Sequence, residues 1–101
     1  MKAIIKEVGK PPKVVDIENT LEEMQKIVGG NIEVIRVRSN ILMLCDEEGK
    51  LKNKPYNFDL GNDLIVGNVL FVNSKGEDFT SLDEIGIEAI MHFFSRTPYT
   101  T

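Results

Sequence analysis

The sequence predicts an α+β domain: a mostly antiparallel sheet of five to six strands with two helices packed on it. Segments 41–45 and 64–72 are apolar at almost every position, which is typical of strands covered on both faces. Segments 20–30 and 80–95 instead place apolar residues at helical spacing behind polar capping residues. The chain is 101 residues long and holds no repeat or linker, so we expect residues 1–101 to form one domain.

The first third of the chain predicts a hairpin followed by a helix. Segments 2–8 and 13–17 are rich in β-branched residues and flank Pro11-Pro12. Because proline has no N–H to donate, these prolines should discourage further pairing at this edge of the sheet. Thr20 or Asn19 then caps a helix that ends at Gly29-Gly30.

The remaining segments predict three strands and a second helix. Segment 31–38 forms a strand with a bulge, since its apolar residues change parity along the segment. After the strand 41–45, a hairpin loop leads to a return strand that begins at Leu51. Segment 64–72 forms one central strand, in which Gly67-Asn68 indicates a bulge or a close backbone approach. A second helix begins after Thr80 or Ser81, and the polar tail 96–101 is expected to be flexible.

Charge and cysteine content limit the class of protein. Lys and Arg total 12 against 16 Asp and Glu, which gives a formal net charge of −4, so we do not expect nucleic-acid binding. The single cysteine, Cys45, lies in an apolar strand, as a buried thiol in a reducing compartment would. The sequence has no leader-like N-terminus and no membrane-length apolar run, and we expect a cytoplasmic protein away from membranes.

The residues that carry enzyme or metal chemistry do not form a recognisable set. One histidine, His92, and one cysteine cannot make a zinc site, and Cys45 next to Asp46 should have a raised pKa. Most acidic residues stand in turns and at helix starts, and the phosphate-binding glycine motifs are absent. We therefore expect no metal and no cofactor, and an enzyme is the weakest of three functional hypotheses.

The chain is acidic as a whole, but a lysine-rich stretch lies between the two apolar segments 41–45 and 64–72. The candidate site residues are Lys52, Lys54, Tyr56 and Asn57, with Gly67 and Asn68 close to them across the sheet. The leading hypothesis makes them part of a non-enzymatic protein-binding surface. The alternative is a site for a nucleotide or nucleotide-derived signal, with the lysines on phosphate and Tyr56 on the base. A purely structural interpretation, in which the lysines protect an edge strand and the Gly-Asn pair forms a bulge, stays open.

Several segments together carry a family resemblance. They are 2–6 with Pro11-Pro12, 21–30, 32–34, 48–51 with Pro55 and Asn57, 63–67, 69–71 and 77–82. These segments resemble a family of small uncharacterised proteins, about 100 residues long, from phages, plasmids and conjugative elements. The resemblance implies a mobile-element accessory protein with a host or element-encoded protein as partner, and it implies no activity and no catalytic residues.

A homodimer is a further expectation. Both apolar strands need cover on two faces, and two short helices can be accommodated on one face of a sheet this size. The other face would then be buried against a second copy of the chain.

Overall fold

A computed structural model describes residues 1–96 of the chain. Its elements are β1 (Lys2–Lys6), β2 (Lys13–Asp16), α1 (Leu21–Val28), β3 (Ile32–Arg38), β4 (Ile41–Asp46), β5 (Tyr56–Leu60), β6 (Asp63–Val66), β7 (Val69–Lys75), β8 (Asp78–Thr80) and α2 (Glu84–Ser95). The tail predicted to be flexible lies, except for Arg96, outside the described residues.

The described residues form one large antiparallel sheet and one small one. The large sheet has six strands in the order β2-β1-β7-β4-β3, with β8 paired to β7 beyond the beginning of β1. β5 and β6 form a separate two-stranded sheet, which we call the hairpin. The predicted α+β class is confirmed, and β4 is buried at every position, as its apolar sequence predicts.

The two helices lie on opposite faces of the large sheet. On one face, α1 places Met24 and Val28 against Leu42 of β4. On the other face, α2 and the hairpin share the cover, and Phe94 packs with Phe58 over the sheet. The homodimer prediction assumed that both helices cover one face, and this assumption is wrong.

The helix ends show which capping signals operate. The Thr20 hydroxyl accepts a hydrogen bond from the Glu23 N–H at 3.2 Å, and α1 ends at Gly29 with φ +80°, both as predicted. The predicted start of α2 is wrong, because its cap is Asp83, whose carboxylate accepts from the Gly86 N–H at 2.7 Å. Thr80 is instead the last residue of β8, in the pairing with β7.

Two strand predictions are also wrong. Segment 64–72 is not one strand: Gly67, with φ +75°, breaks it into β6 and β7, which belong to different sheets. The return strand predicted from Leu51 is absent, since residues 47–53 form turns and the next strand starts at Tyr56. This strand pairs with β6 and not with β4. The hairpin therefore packs on the sheet as a separate unit that needs its own attachments.

Candidate functional site

The first attachment of the hairpin is a charged cluster at the end of β4. The Asp46 carboxylate is 2% exposed, and the Nζ atoms of Lys52 and Lys54 each lie 2.8 Å from its Oδ2. Its Oδ1 accepts a hydrogen bond from the Glu48 N–H at 2.9 Å. The hydrogen bonds from Lys52 and then Lys54 hold the pKa of Asp46 well below its usual range. We call these three side chains the Asp46 cluster.

The same lysines also bind the end of α1. Lys54 donates to the carbonyl oxygens of Val28 at 2.8 Å and Gly29 at 3.3 Å, and Lys52 approaches the Gly29 oxygen at 3.4 Å. The last carbonyls of a helix have no partner within the helix and carry partial negative charge, so they favour cations. The Asp46 cluster thus joins the segment before β5 to both β4 and α1.

Glycines leave the space that the Asp46 cluster occupies. A Cβ atom at Gly67 would lie 2.8 Å from Cδ of Lys54, and one at Gly29 would lie 2.8 Å from its Nζ. A Cβ at Gly30 would lie 2.6 Å from the Asp46 carboxylate. The prediction of a close backbone approach at Gly67 is therefore confirmed, although the group that approaches is a lysine of the same chain.

The second attachment is an uncharged amide under the hairpin. Asn57 is 2% exposed, and its Nδ2 donates to the carbonyl oxygens of Lys6 at 2.9 Å and Gly67 at 2.7 Å. Its Oδ1 accepts from the Lys6 ammonium at 2.8 Å. All three hydrogen bonds are buried, so Asn57 connects β5, β1 and the β6–β7 junction. We call Asn57 with Lys6 the Asn57 cluster.

Lys6 is a site residue that the sequence analysis did not single out. Lys6 is 1% exposed. Its ammonium also donates to the backbone carbonyl oxygen of Glu7 at 2.8 Å, and its Nζ lies 5.8 Å from the ring centroid of Phe94. Burial lowers the pKa of Lys6. Side chains alternate between the two faces of a strand, so Lys6 lies on the same face of β1 as the buried Ile4. This alternation was the sequence signal that could have identified Lys6 as an inward-facing residue.

The two other predicted site residues lie on either side of these clusters. Asn68 accepts a hydrogen bond from the Val8 N–H at 2.9 Å, which holds the β6–β7 junction against the end of β1. Tyr56 is 43% exposed, and its hydroxyl donates to Asp59 at 3.2 Å. Partial burial and then the Asp59 contact raise the pKa of Tyr56. Of the predicted set, Tyr56 is thus the residue with a large exposed apolar surface.

Two other exposed apolar side chains lie on the hairpin and in the turn that precedes it. Leu64 is 57% exposed and pairs with Asp59, the residue that holds the Tyr56 hydroxyl. Leu51 is 83% exposed and follows Lys50, whose Nζ lies 2.8 Å from the carboxylate of Asp63. We call Leu51, Tyr56 and Leu64 the hairpin patch. The Lys50–Asp63 ion pair and Asp59 form its charged rim.

Two cavities adjoin the hairpin. An apolar cavity of about 250 Å³ lies between α2, β5 and the large sheet, with Phe58 and Phe94 in its wall and Arg38 as its charged residue. A smaller groove of about 190 Å³ separates β3 from β6, and Glu33 and Glu47 contribute carboxylates to it. Neither cavity was predictable from the sequence, because both are formed by elements that are distant along the chain.

Cys45 is a buried free thiol. Burial and then the neighbouring Glu33 raise the pKa of the Cys45 thiol to about 11, so the predicted direction is confirmed with burial as the main cause. In residues 1–96, no cluster of three or more His, Cys, Asp or Glu side chains could hold a metal ion. Nor does either helix in this part of the chain have the length and apolar character to cross a membrane.

The geometry defines a small α+β domain that presents an apolar patch on a hairpin held by two buried polar clusters. Residues 1–95 match the family described as Domain of unknown function (DUF3846), and the chain belongs to this family. No curated protein and no solved structure matches the chain. The predicted resemblance to a family of small domains of unknown function is therefore confirmed.

Proposed function

We propose that the protein is a non-enzymatic protein-binding module that contacts its partner through the hairpin patch. The observation that carries this proposal is the exposure of Leu51, Tyr56 and Leu64 on a segment held from beneath by the Asp46 and Asn57 clusters. A surface that is ordered before binding loses less conformational entropy when the partner arrives. Exposed apolar side chains in such a place favour protein contact.

The composition of the patch also supports a protein partner. Tyrosine is enriched among the residues that dominate binding energy at protein interfaces, and Tyr56 is one of the three members of the hairpin patch. Charged groups adjoin these residues: the ion pair of Lys50 and Asp63 involves the neighbours of Leu51 and Leu64 in the sequence, and Asp59 accepts a hydrogen bond from Tyr56. An apolar centre with a polar rim is the usual arrangement of a protein interface.

The proposal divides the predicted site residues between two roles. Tyr56 keeps the role of a contact residue. Lys52, Lys54 and Asn57 support the hairpin through Asp46, α1 and Lys6, and Gly67 and Asn68 shape its junction with β7. Substitution of a supporting residue should reduce binding through loss of structure, whereas substitution in the patch should reduce binding alone.

The nucleotide alternative has weaker support. A phosphate group needs cationic donors that can turn toward it, and the ammonium groups of Lys52 and Lys54 already bind Asp46 and helix carbonyls. A phosphate would have to displace a buried carboxylate whose charge both lysines compensate. Tyr56 lies on the outer side of the hairpin, where its hydroxyl binds Asp59.

The biological setting is the broader part of the proposal. The resemblance to proteins of phages, plasmids and conjugative elements supports an accessory protein of a mobile element, with a host or element-encoded protein as partner. The buried free thiol of Cys45 supports a reducing compartment, and we place the protein in the cytoplasm.

Affinity capture with matched surface variants tests the proposal. The test variant is Leu51→Ser/Tyr56→Ser/Leu64→Ser, and the control is Val14→Ser/Leu21→Ser, which removes exposed apolar residues, 44% and 58% exposed, from other surfaces. Wild type and control should enrich the same protein from a lysate of the native host, and the test variant should lose it. Equal capture by all three proteins would contradict the proposal.

A second arm separates the nucleotide alternative. Thermal unfolding is measured with nucleotides present and compared between wild type and the Lys52→Met/Lys54→Met variant. No change in Tm is expected on the protein-binding proposal. A saturable rise that requires phosphate and disappears in the lysine variant would favour the nucleotide alternative instead.

A further inference from the structure

The two edges of the large sheet differ in their protection against pairing. β2 forms one edge, has four residues, and follows Pro11-Pro12, which cannot extend the pairing. β3 forms the other edge and has seven residues without proline or lysine, and within residues 1–96 it pairs with β4 alone. Proteins usually protect an open edge with charged side chains, proline, a bulge or a short strand. Over Ile32–Arg36, β3 has neither proline nor its bulge, which lies after Arg36, and its charged residues there are Glu33 and Arg36.

The hydrogen-bonding pattern shows which residues of β3 face outward. The Asn31 carbonyl accepts from the Glu47 N–H at 2.9 Å, so residue 31 points its backbone groups toward β4. In an antiparallel pair these groups alternate along the strand. Glu33 and Ile35 therefore bond to β4, while Ile32, Val34 and Arg36 present their N–H and C=O groups at the open edge.

We propose that β3 pairs antiparallel with β3 of a second copy of the chain, with Val34 on the twofold axis. This register places Ile32 opposite Arg36 of the other copy and Val34 opposite Val34. Three outward residues then form about six backbone hydrogen bonds, and the two large sheets become one continuous sheet. Val34 is 47% exposed in one copy, and its side chain is covered in the pair. This proposal does not depend on the hairpin patch or on the proposed function.

Charge complementarity favours a second copy over an unrelated strand. Glu33 and Glu47 line the groove at the beginning of β3, and Arg38 lies at its end. None of these three side chains forms an ion pair with another described residue of its own chain. Antiparallel pairing brings the end of one β3 to the beginning of the other, so Arg38 of each copy approaches the carboxylates of the other. Charges of opposite sign then meet twice by symmetry.

Sedimentation of matched variants tests this dimer. Wild type should sediment as a dimer at micromolar concentration. Val34→Lys places two like charges opposite each other on the axis and should weaken dimerisation at least about tenfold, whereas Val14→Lys on the other edge should leave it unchanged. A monomeric wild type, or a Val34→Lys variant that dimerises as wild type does, would overturn the proposal.

Oxidative crosslinking tests the register without a destabilising charge. Residues opposite each other in a hydrogen-bonded antiparallel pair have Cα atoms about 5.5 Å apart, a distance that a disulfide spans. Val34→Cys should therefore form a covalent dimer under mild oxidation, and Val14→Cys should stay monomeric on a reducing-agent-free gel. A Val34→Cys variant that forms no covalent dimer, or forms no more than Val14→Cys, would refute the register.

Discussion

The Asp46 and Asn57 clusters hold the same hairpin by different chemistry. Asp46 acts through charge, and its partners Lys52 and Lys54 keep 41% and 21% of their side chains exposed. Asn57 acts through a neutral amide, and its hydrogen bonds to Lys6 and Gly67 are buried. The Asp46 carboxylate titrates and the Asn57 amide does not, so the effect of replacing Asp46 should depend on pH at acid values. Water can replace a lost partner in the first cluster more easily than in the second, so the second should be the less tolerant of substitution.

The largest expected effect follows from Asn57→Ala. The substitution leaves the Lys6 ammonium without one hydrogen bond and leaves the carbonyl oxygens of Lys6 and Gly67 without their Asn57 donor. Several buried polar groups that lose partners at once should lower the free energy of unfolding by about 4 kcal/mol, measured by urea denaturation. Asn62→Ala at the exposed hairpin turn is the matched control, with an expected effect below about 0.5 kcal/mol. Equal effects of the two substitutions would show that Asn57 does not hold the hairpin.

Asp46→Asn should have a smaller effect that depends on pH. At pH 7 we expect a loss of about 2 kcal/mol, because two partly exposed lysines lose their shared carboxylate. The pKa of Asp46 is lower in the folded state than the unfolded value of about 3.9. The stabilisation that ionised Asp46 gives the folded state is therefore fully present above about pH 4 and is lost as the pH falls toward the folded-state pKa. The difference between wild type and variant should therefore shrink below about pH 4. Glu18→Gln is the exposed control, and a difference that stays constant down to pH 2 would contradict the assignment.

The two lysines of the Asp46 cluster should be separable. Lys54→Met removes bonds to both Asp46 and the Val28 carbonyl and should lower the free energy of unfolding by about 1.5 kcal/mol. Lys52→Met should lower it by less than about 0.5 kcal/mol, because Lys52 is the more exposed of the two and lies 3.4 Å from its helix carbonyl. Thermal unfolding of the two variants side by side measures the difference. A larger effect of Lys52→Met than of Lys54→Met would contradict the prediction, because it would show that Lys52 makes the more stabilising contacts.

Local signals were enough to predict much of the fold. The helix α1, its Thr20 cap and its Gly29 end were readable because capping depends on residues close in the sequence. The prolines before β2 likewise marked an edge strand. β4 was readable because an entirely apolar run of strand length must be covered on both faces.

The failures arise where distant residues decide. Residues 64–72 have the local pattern of one strand, and the division at Gly67 is stabilised by Lys54 and Asn57, which pack against its backbone. Thr80 and Ser81 likewise have side chains that commonly cap helices. However, Thr80 belongs to β8, and the Ser81 hydroxyl accepts a hydrogen bond from the Lys2 N–H at 2.8 Å. The sequence places the predicted site residues Lys52, Lys54 and Asn57 close together along the chain, and the structure shows what each of them contacts. The roles of the two lysines were not predictable, because the sequence does not show that Asp46 is buried beside them.

The path of Lys54 between α1 and the hairpin has a consequence for local unfolding. Its Nζ binds the helix end at Val28, while its aliphatic chain fills the space beside Gly67. If the hairpin opens, the helix end loses its cation, and if the helix frays, the lysine loses its position beside the hairpin. These two regions, about 26 residues apart along the chain, should therefore open as one cooperative unit and not as independent segments. A partner bound at the hairpin patch would then slow amide exchange at the end of α1, a helix that it does not touch.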